Sequence, residues 1–158
     1  GADVTVVHRD TFPCVKNIRA DSAADMHDQV KTHLVNSGAD IYISAAAISD
    51  YAPELYKGKI PSGKKRIIIS CRPLPKLLDE ILLMHVPFVV AFKLGYDTST
   101  VARAMIKKGV NLVITNSPET MGMDMGEFTL ESEQEPLHIK GTKEEWARKI
   151  FRAILSLQ

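Results

Sequence analysis

Three times in this chain a glycine, a small hinge and an apolar run follow one another. Gly1-Ala2-Asp3 leads into Val4-Thr5-Val6-Val7, Gly38-Ala39-Asp40 into Ile41-Tyr42-Ile43-Ser44, and Gly109-Val110-Asn111 into Leu112-Val113-Ile114-Thr115. Glycine enters the left-handed conformation that ends a helix, and the run after it suits a strand. A chain built on that unit alternates helix and strand, which points to an α/β architecture. The run Pro87-Phe88-Val89-Val90-Ala91-Phe92 lacks in–out alternation and marks a strand buried on both faces. The expectation is a doubly wound, mostly parallel, Rossmann-like sheet, with residues 1–158 forming a single domain.

Helical spacing places Ala23, Met26, Val30 and Leu34 on one face of residues 22–36, and Leu74, Leu77, Leu78 and Ile81 on one face of 74–84. Residues 98–108 group Val101, Ala104 and Met105, with Lys107 and Lys108 in the last turn, where cations suit the helix dipole. A helix over 142–155 opens on Thr142 and Glu145, a capping box, and its face of Trp146, Ile150 and Ala153 continues to Leu157. Strands are expected at 5–8, 15–19, 41–45, 66–71, 88–92 and 112–115, and a C-terminal hairpin at 127–131 and 137–139. A helix is visible before Gly38 and before Gly109 but not before Gly1. The fold is therefore expected to lack its first strand and helix here. Residues 46–65 form an unusually long connection and a candidate functional loop.

Composition narrows the partners. Twenty basic and nineteen acidic residues give a net charge of +1, which offers no electrostatic case for nucleic acid or an anionic membrane. The longest apolar stretch, 86–92, is too short to span a bilayer. Gly1-Ala2-Asp3 has neither the basic start nor the apolar core of a leader, and Cys14 and Cys71 suggest no disulfide framework, so a reduced cytoplasmic setting is expected. No GxGxxG, GxxxxGK[ST] or GxSxG occurs, and the five histidines form no HExxH or zinc-like cluster. A protein-held metal site is not expected.

Open parallel sheets bind ligands beyond the carboxyl ends of their strands, so the residues there carry the search. After the strand at Ile41 come Ala45-Ala46-Ala47-Ile48-Ser49-Asp50-Tyr51. The alanines either admit a ligand close to the backbone or pack tightly. Asp50 either receives an amino or hydroxyl group or caps a turn. Tyr56-Lys57-Gly58-Lys59-Ile60-Pro61-Ser62-Gly63-Lys64-Lys65 is a cationic loop. It is able to close over a triphosphate, or it is simply solvated. Phe92 ends a strand, where it stacks on a base or joins the core, and Lys93 behind it is less expected in a core. Asn116 follows the strand at Leu112, in a position where turns also favour asparagine. Met121, Met123 and Met125 read as adaptable packing.

Taken in order, these segments resemble the phosphopantothenoylcysteine synthetase family over nearly the whole chain. Ala23-Ala24-Asp25-Met26 is similar to the family's "A-x-E-M" helix. Ala45-Ala46-Ala47-Ile48-Ser49-Asp50-Tyr51 followed by Lys59-Ile60 resembles its "AAAVxDY…KIK" signature. Pro75-Lys76-Leu77-Leu78, Val90-Ala91-Phe92-Lys93-Leu94 and Asn111-Leu112-Val113-Ile114-Thr115-Asn116 continue the match.

The resemblance implies a ligase of coenzyme A biosynthesis that couples 4′-phosphopantothenate to L-cysteine. CTP or ATP would activate the carboxylate as an acyl-nucleotidylate with Mg2+. It implies nucleotide or substrate contacts at Ala45, Ala46 and Asp50, and a flap lysine at Lys59 acting in acyl-nucleotidylate formation. Phe92 would lie beside the nucleotide. Lys108 would be one of two helix lysines near the triphosphate; the other position holds Ala104, with Arg103 as a replacement. It further implies a homodimer, and FMN only where a decarboxylase is fused upstream. Pro61-Ser62 stands where many bacterial members have a lysine pair, which leaves CTP against ATP open. The family's "GGT" turn and "N-x-SSGKMG" segment are not in this sequence. A non-catalytic nucleotide-binding or regulatory subunit of the same fold is the alternative. An NAD(P)-binding domain lacks its glycines.

Overall fold

The structure, a computed structural model, describes residues 1–60, 62–63 and 65–158. The chain divides into two units, one of Gly1–His33 with Ala46–Asp79 and one of Leu34–Ala45 with Glu80–Gln158.

In the first unit β1 (Thr5–His8) and β2 (Lys16–Arg19) pair in parallel, Thr5 opposite Lys16. Parallel strands usually need a crossover of about a dozen residues. Here residues 9–15 suffice because the Asn17 side chain gathers the turn. Its Oδ1 accepts from the Phe12 N–H at 2.8 Å, and its Nδ2 donates to the carbonyls of Phe12 and Val15 at 2.8 and 2.9 Å. Helix α1 (Ala23–Ser37) opens with the Asp25 N–H donating to Ser22 Oγ at 3.1 Å.

The same unit holds an antiparallel pair, β4 (Tyr51–Pro53) with β5 (Cys71–Pro73). This corrects two expectations. Residues 46–65 are not one loop, since β4 lies within them. The strand expected at 66–71 forms instead at Cys71–Pro73, because its partner β4 sets the register. Ile67, Ile68 and Ile69, whose branching suggested the strand, are exposed. Both cysteines are free and exposed.

The second unit is built on a five-stranded sheet in the order β3-β6-β7-β8-β9. Strands β3 (Ile41–Ser44), β6 (Phe88–Leu94) and β7 (Leu112–Asn116) are parallel. The hairpin β8 (Met125–Glu131) and β9 (Leu137–Thr142) adds antiparallel to β7. The expected α/β sheet with its C-terminal hairpin is therefore present. Helix α4 (Lys143–Leu157) seals one face, where Trp146, Ile150 and Ile154 meet Phe88, Val90, Leu112, Ile114, Phe128 and Leu130. Residues of opposite parity, Thr115, Thr129 and Glu131, line a groove with residues 97–99 and Arg103 at the start of α3 (Ser99–Lys107). Helix α3 thus lies over the other face. The segment that feeds β6 contains α2 (Leu77–Leu83), whose Ile81 is fully buried.

Gly109, at φ 112°, makes the turn from α3 into β7 that a side chain would strain. At the head of α4 the expected capping box is complete. The Glu145 N–H donates to Thr142 Oγ1 at 3.3 Å, and the Thr142 N–H donates to Glu145 Oε2 at 2.8 Å. No helix among the described residues is long and apolar enough to cross a membrane.

Thr142→Ala should cost about 1 kcal/mol, a fall in Tm of roughly 2–4 °C, while Thr142→Ser should stay near wild type. The hydrogen bond from the Thr142 backbone holds the Glu145 carboxyl below its ordinary range. A depressed carboxyl stabilises the fold above its unfolded pKa and ceases to do so as pH falls through its folded pKa. Thermal melts against pH should show the deficit of Glu145→Ala shrinking in acid.

Candidate functional site

Ligand sites in such sheets form where parallel strands end, and in the second unit β6 and β7 end together while β3 stops three residues earlier. Ser44 closes β3 opposite Ala91, so Ala45 leaves the sheet beside Phe92. Leu94 pairs with Asn116, so β6 and β7 finish together. Ala45, Phe92, Lys93 and Asn116 thus share one edge. Phe92 is half-buried and packs on the α4 core, while Lys93, of opposite parity, is exposed and pairs with Thr115. Asn116 is fixed through Nδ2, which donates to Thr120 Oγ1 at 2.7 Å, and its carbonyl accepts from the Gly95 N–H at 3.0 Å. Tyr42, in β3, is pushed up by burial, against a hydrogen bond from Ser44 that lowers it.

Lys108 is elsewhere. It caps the C-terminus of α3 through backbone bonds to Ala104 and Met105 and stands before β7, not after it. Four residue steps of β7 span roughly 13 Å. Within this unit Lys108 and Asn116 occupy opposite edges of the sheet.

The first unit carries Ala46, Asp50 and Lys59. Ala46 is exposed, and its carbonyl accepts from the Ile48 N–H at 3.1 Å. The Asp50 carbonyl accepts from the Leu74 N–H at 2.8 Å, while its carboxylate stays exposed, 3.9 Å from Lys76 Nζ. On the far side of β4 the Glu54 N–H donates to the Ser70 carbonyl at 2.9 Å. Glu54 and Ser70 are therefore held together where β4 and β5 end. Between them Lys57, Lys59 and Lys65 are exposed, as is Leu55 at 100%. Pro61 and Lys64, both part of the cationic loop expected from sequence, lie outside the described residues.

Sequence reasoning missed a groove of about 510 Å³ at the ends of β6 and β7, bounded by the β8–β9 hairpin. Asn116, Tyr96, Thr129, His138 and Lys140 line it. At its rim Lys140 Nζ meets Glu127 Oε1 at 2.9 Å, a hydrogen bond that lowers the Glu127 carboxyl and raises the Lys140 amine. Tyr96 Oη donates to Glu119 Oε1 at 2.6 Å, which raises the phenol. The signal was the register of the hairpin, which single-residue patterns do not carry. No group of three or more His, Cys, Asp or Glu able to hold a metal ion occurs among the described residues.

Comparison with known proteins agrees with this architecture. Residues 1–157 match the model of the DNA/pantothenate metabolism flavoprotein C-terminal domain. The Coenzyme A biosynthesis bifunctional protein CoaBC of Methanocaldococcus jannaschii is 30% identical over 127 residues, 75% of this chain and 31% of that protein. The protein of the same name from Thermococcus kodakarensis is 28% identical over 141 residues, 82% of this chain and 35% of its own length. The chain spans about a third of the length of these curated relatives. The crystal structure of the DNA/pantothenate metabolism flavoprotein from Streptococcus pneumoniae superposes over 100% of this chain and 82% of its own, with a TM-score of 0.82 at 17% identity, a likeness of fold. This chain belongs to the DNA/pantothenate metabolism flavoprotein C-terminal domain family.

Proposed function

We propose that this domain acts in coenzyme A biosynthesis as a phosphopantothenate–cysteine ligase. The observation that carries the reading is the segment leaving β3. It runs Ala45-Ala46-Ala47-Ile48-Ser49-Asp50 and leads through β4 to the exposed Lys59. The relatives' names, which speak of coenzyme A biosynthesis, support it.

In the first step a carboxylate oxygen of 4′-phosphopantothenate attacks the α-phosphorus of CTP or ATP. The bond to the β-phosphate oxygen breaks, and pyrophosphate leaves. In the second step the neutral amine of L-cysteine attacks the acyl carbon. Nucleoside monophosphate leaves with the bonding pair, and the amine's proton passes to solvent. Lys59 would offset charge developing on the phosphates, as a positioned cation does. Ala45 and Ala46 would let the nucleotide approach backbone, and Asp50 would hold an amino or hydroxyl group. Phe92 would lie against the base, with Lys93 and Asn116 on the same strand ends. Mg2+ usually keeps several waters and binds through phosphates with one or two carboxylates. Asp50, exposed and 3.9 Å from Lys76 Nζ, would be a carboxylate able to join such a site. Bound there, the ion would neutralise triphosphate charge. FMN would belong to a decarboxylase domain fused upstream.

Two features support the homodimer. Lys108 and Asn116 sit at opposite edges of one sheet, so a site that uses both draws them from two copies. Ile67, Ile68 and Ile69 expose an apolar run, with Ile68 82% exposed.

In pyrophosphate-release assays with 4′-phosphopantothenate, cysteine, Mg2+ and either CTP or ATP, Lys59→Gln should lower kcat by about 100-fold or more. Near-normal turnover would remove Lys59 from the chemistry. Nucleotide binding without pyrophosphate release by the wild-type protein would instead indicate a binding subunit. Ile68→Asp should shift the protein from dimer to monomer in light scattering; an unchanged mass would exclude that surface from the interface.

A further inference from the structure

The groove beside Asn116 continues into a second hollow of about 340 Å³, since both are lined by Asp97, Thr98, Thr115, Thr129 and His138. At the inner end lies Glu131, the last residue of β8, opposite Val113. Its neighbours of opposite parity, Phe128 and Leu130, face the α4 core, so Glu131 stands on the α3 face. It is 5% exposed and is the one buried charged residue among those described. Among the described residues its side chain has no hydrogen-bond or ion-pair partner. Its oxygens are not sealed in, because Trp146 Nε1 is the only enclosed and unpaired side-chain polar atom among the described residues. The carboxylate therefore opens onto the groove.

Two hydroxyls stand nearby. Thr115, also 5% exposed, pairs directly with Thr129 across β7 and β8. Directly opposed residues hold their Cβ atoms about 5 Å apart, and Glu131 is two residues further along the same strand, roughly 7 Å on. Thr129 Oγ1 lies 2.9 Å from His138 Nδ1, and with the proton on Nε2 the hydroxyl donates to that nitrogen. Its lone pairs then remain available. Glu127 is already spent on Lys140. Asp97, Glu131 and Arg103 line the hollow, two carboxylates to one guanidinium, so it is net anionic. An anion does not suit it, and no group of three or more metal-ligating side chains occurs among the described residues.

We propose that this groove binds a small ligand through a primary ammonium group, with Glu131 as its counter-ion and the hydroxyls of Thr115 and Thr129 as two further acceptors. An ammonium has three N–H donors, and this triangle supplies one partner for each. A bound ammonium would give this carboxylate a charge-assisted hydrogen bond, roughly twice as strong as a neutral one. The inference does not rest on the ligase reading, and a failed pyrophosphate assay leaves it standing.

The test is a ¹H–¹⁵N titration of the full chain with ethanolamine, alongside its uncharged analogue ethylene glycol at matched ionic strength. Ethanolamine should give saturable shifts at Thr115, Thr129, Glu131 and His138, and ethylene glycol should not. Glu131→Gln should weaken binding by about tenfold or more, the worth of a charged hydrogen bond. Thr115→Val, nearly isosteric on a buried strand, should weaken it about two- to tenfold. The same spectra report whether each variant is folded. No saturable shift, equal response to ethylene glycol, or unchanged affinity in either folded variant would overturn the proposal.

Discussion

Strand β7 is sealed on both faces, and the second unit depends on it. Leu112, Val113 and Ile114 have almost no exposed surface. Leu112 and Ile114 pack toward α4, while Val113 and Thr115 turn toward α3. A slip of one residue would push Thr115 into the apolar core and bring Ile114 out to the groove, so the register is tightly specified. Side chains lock it at both ends. Asn111 Oδ1 accepts from the Val89 N–H at 2.7 Å where the strand begins, and Asn116 binds Thr120 where it stops. Since β6 and β7 end in step, the positions of Phe92, Lys93 and Asn116 follow from packing rather than from any contact among themselves.

The charges divide along the same line. Arg19–Asp21, Glu127–Lys140 and Arg148–Glu144 are exposed pairs, a class that contributes little to stability. The folded state rests on apolar burial, so most charged side chains are free to serve other ends. Glu131 is the exception, a charged residue at a buried strand position that lines the groove instead of the surface.

Much of this was legible in the sequence for physical reasons. The strands Thr5–His8, Ile41–Ser44 and Leu112–Asn116 follow from β-branched runs set behind glycine turns, and α4 from its spacing and its Thr142–Glu145 cap. The alignment of Ala45, Phe92 and Asn116 was legible because a parallel sheet brings its carboxyl ends to one edge. Strand β5 was not. Ile67, Ile68 and Ile69 have the higher strand propensity, yet Cys71–Pro73 forms the strand because Tyr51–Pro53 offers its partner there. Propensity is local and pairing is not. The groove was hidden for the same reason, since Thr115, Thr129 and His138 become neighbours only through the registers of two antiparallel pairs.

The short ladder of β4 and β5 has a mechanical consequence for the loop it closes. Three residue pairs make a marginal two-stranded sheet on their own. Two backbone bonds extend it, from Leu74 to the Asp50 carbonyl and from Glu54 to the Ser70 carbonyl. Asp50 therefore belongs to the base of the loop, with its main chain held and its exposed carboxylate beside Lys76, whereas Lys59 lies beyond that base. The ladder thus fixes the main chain at Asp50, while Lys59 lies outside the paired residues. Such a division suits chemistry in which one group positions a ligand before a second arrives with compensating charge. It also explains why the two residue types are separated by a strand and a glycine-bearing turn rather than adjacent on one rigid element.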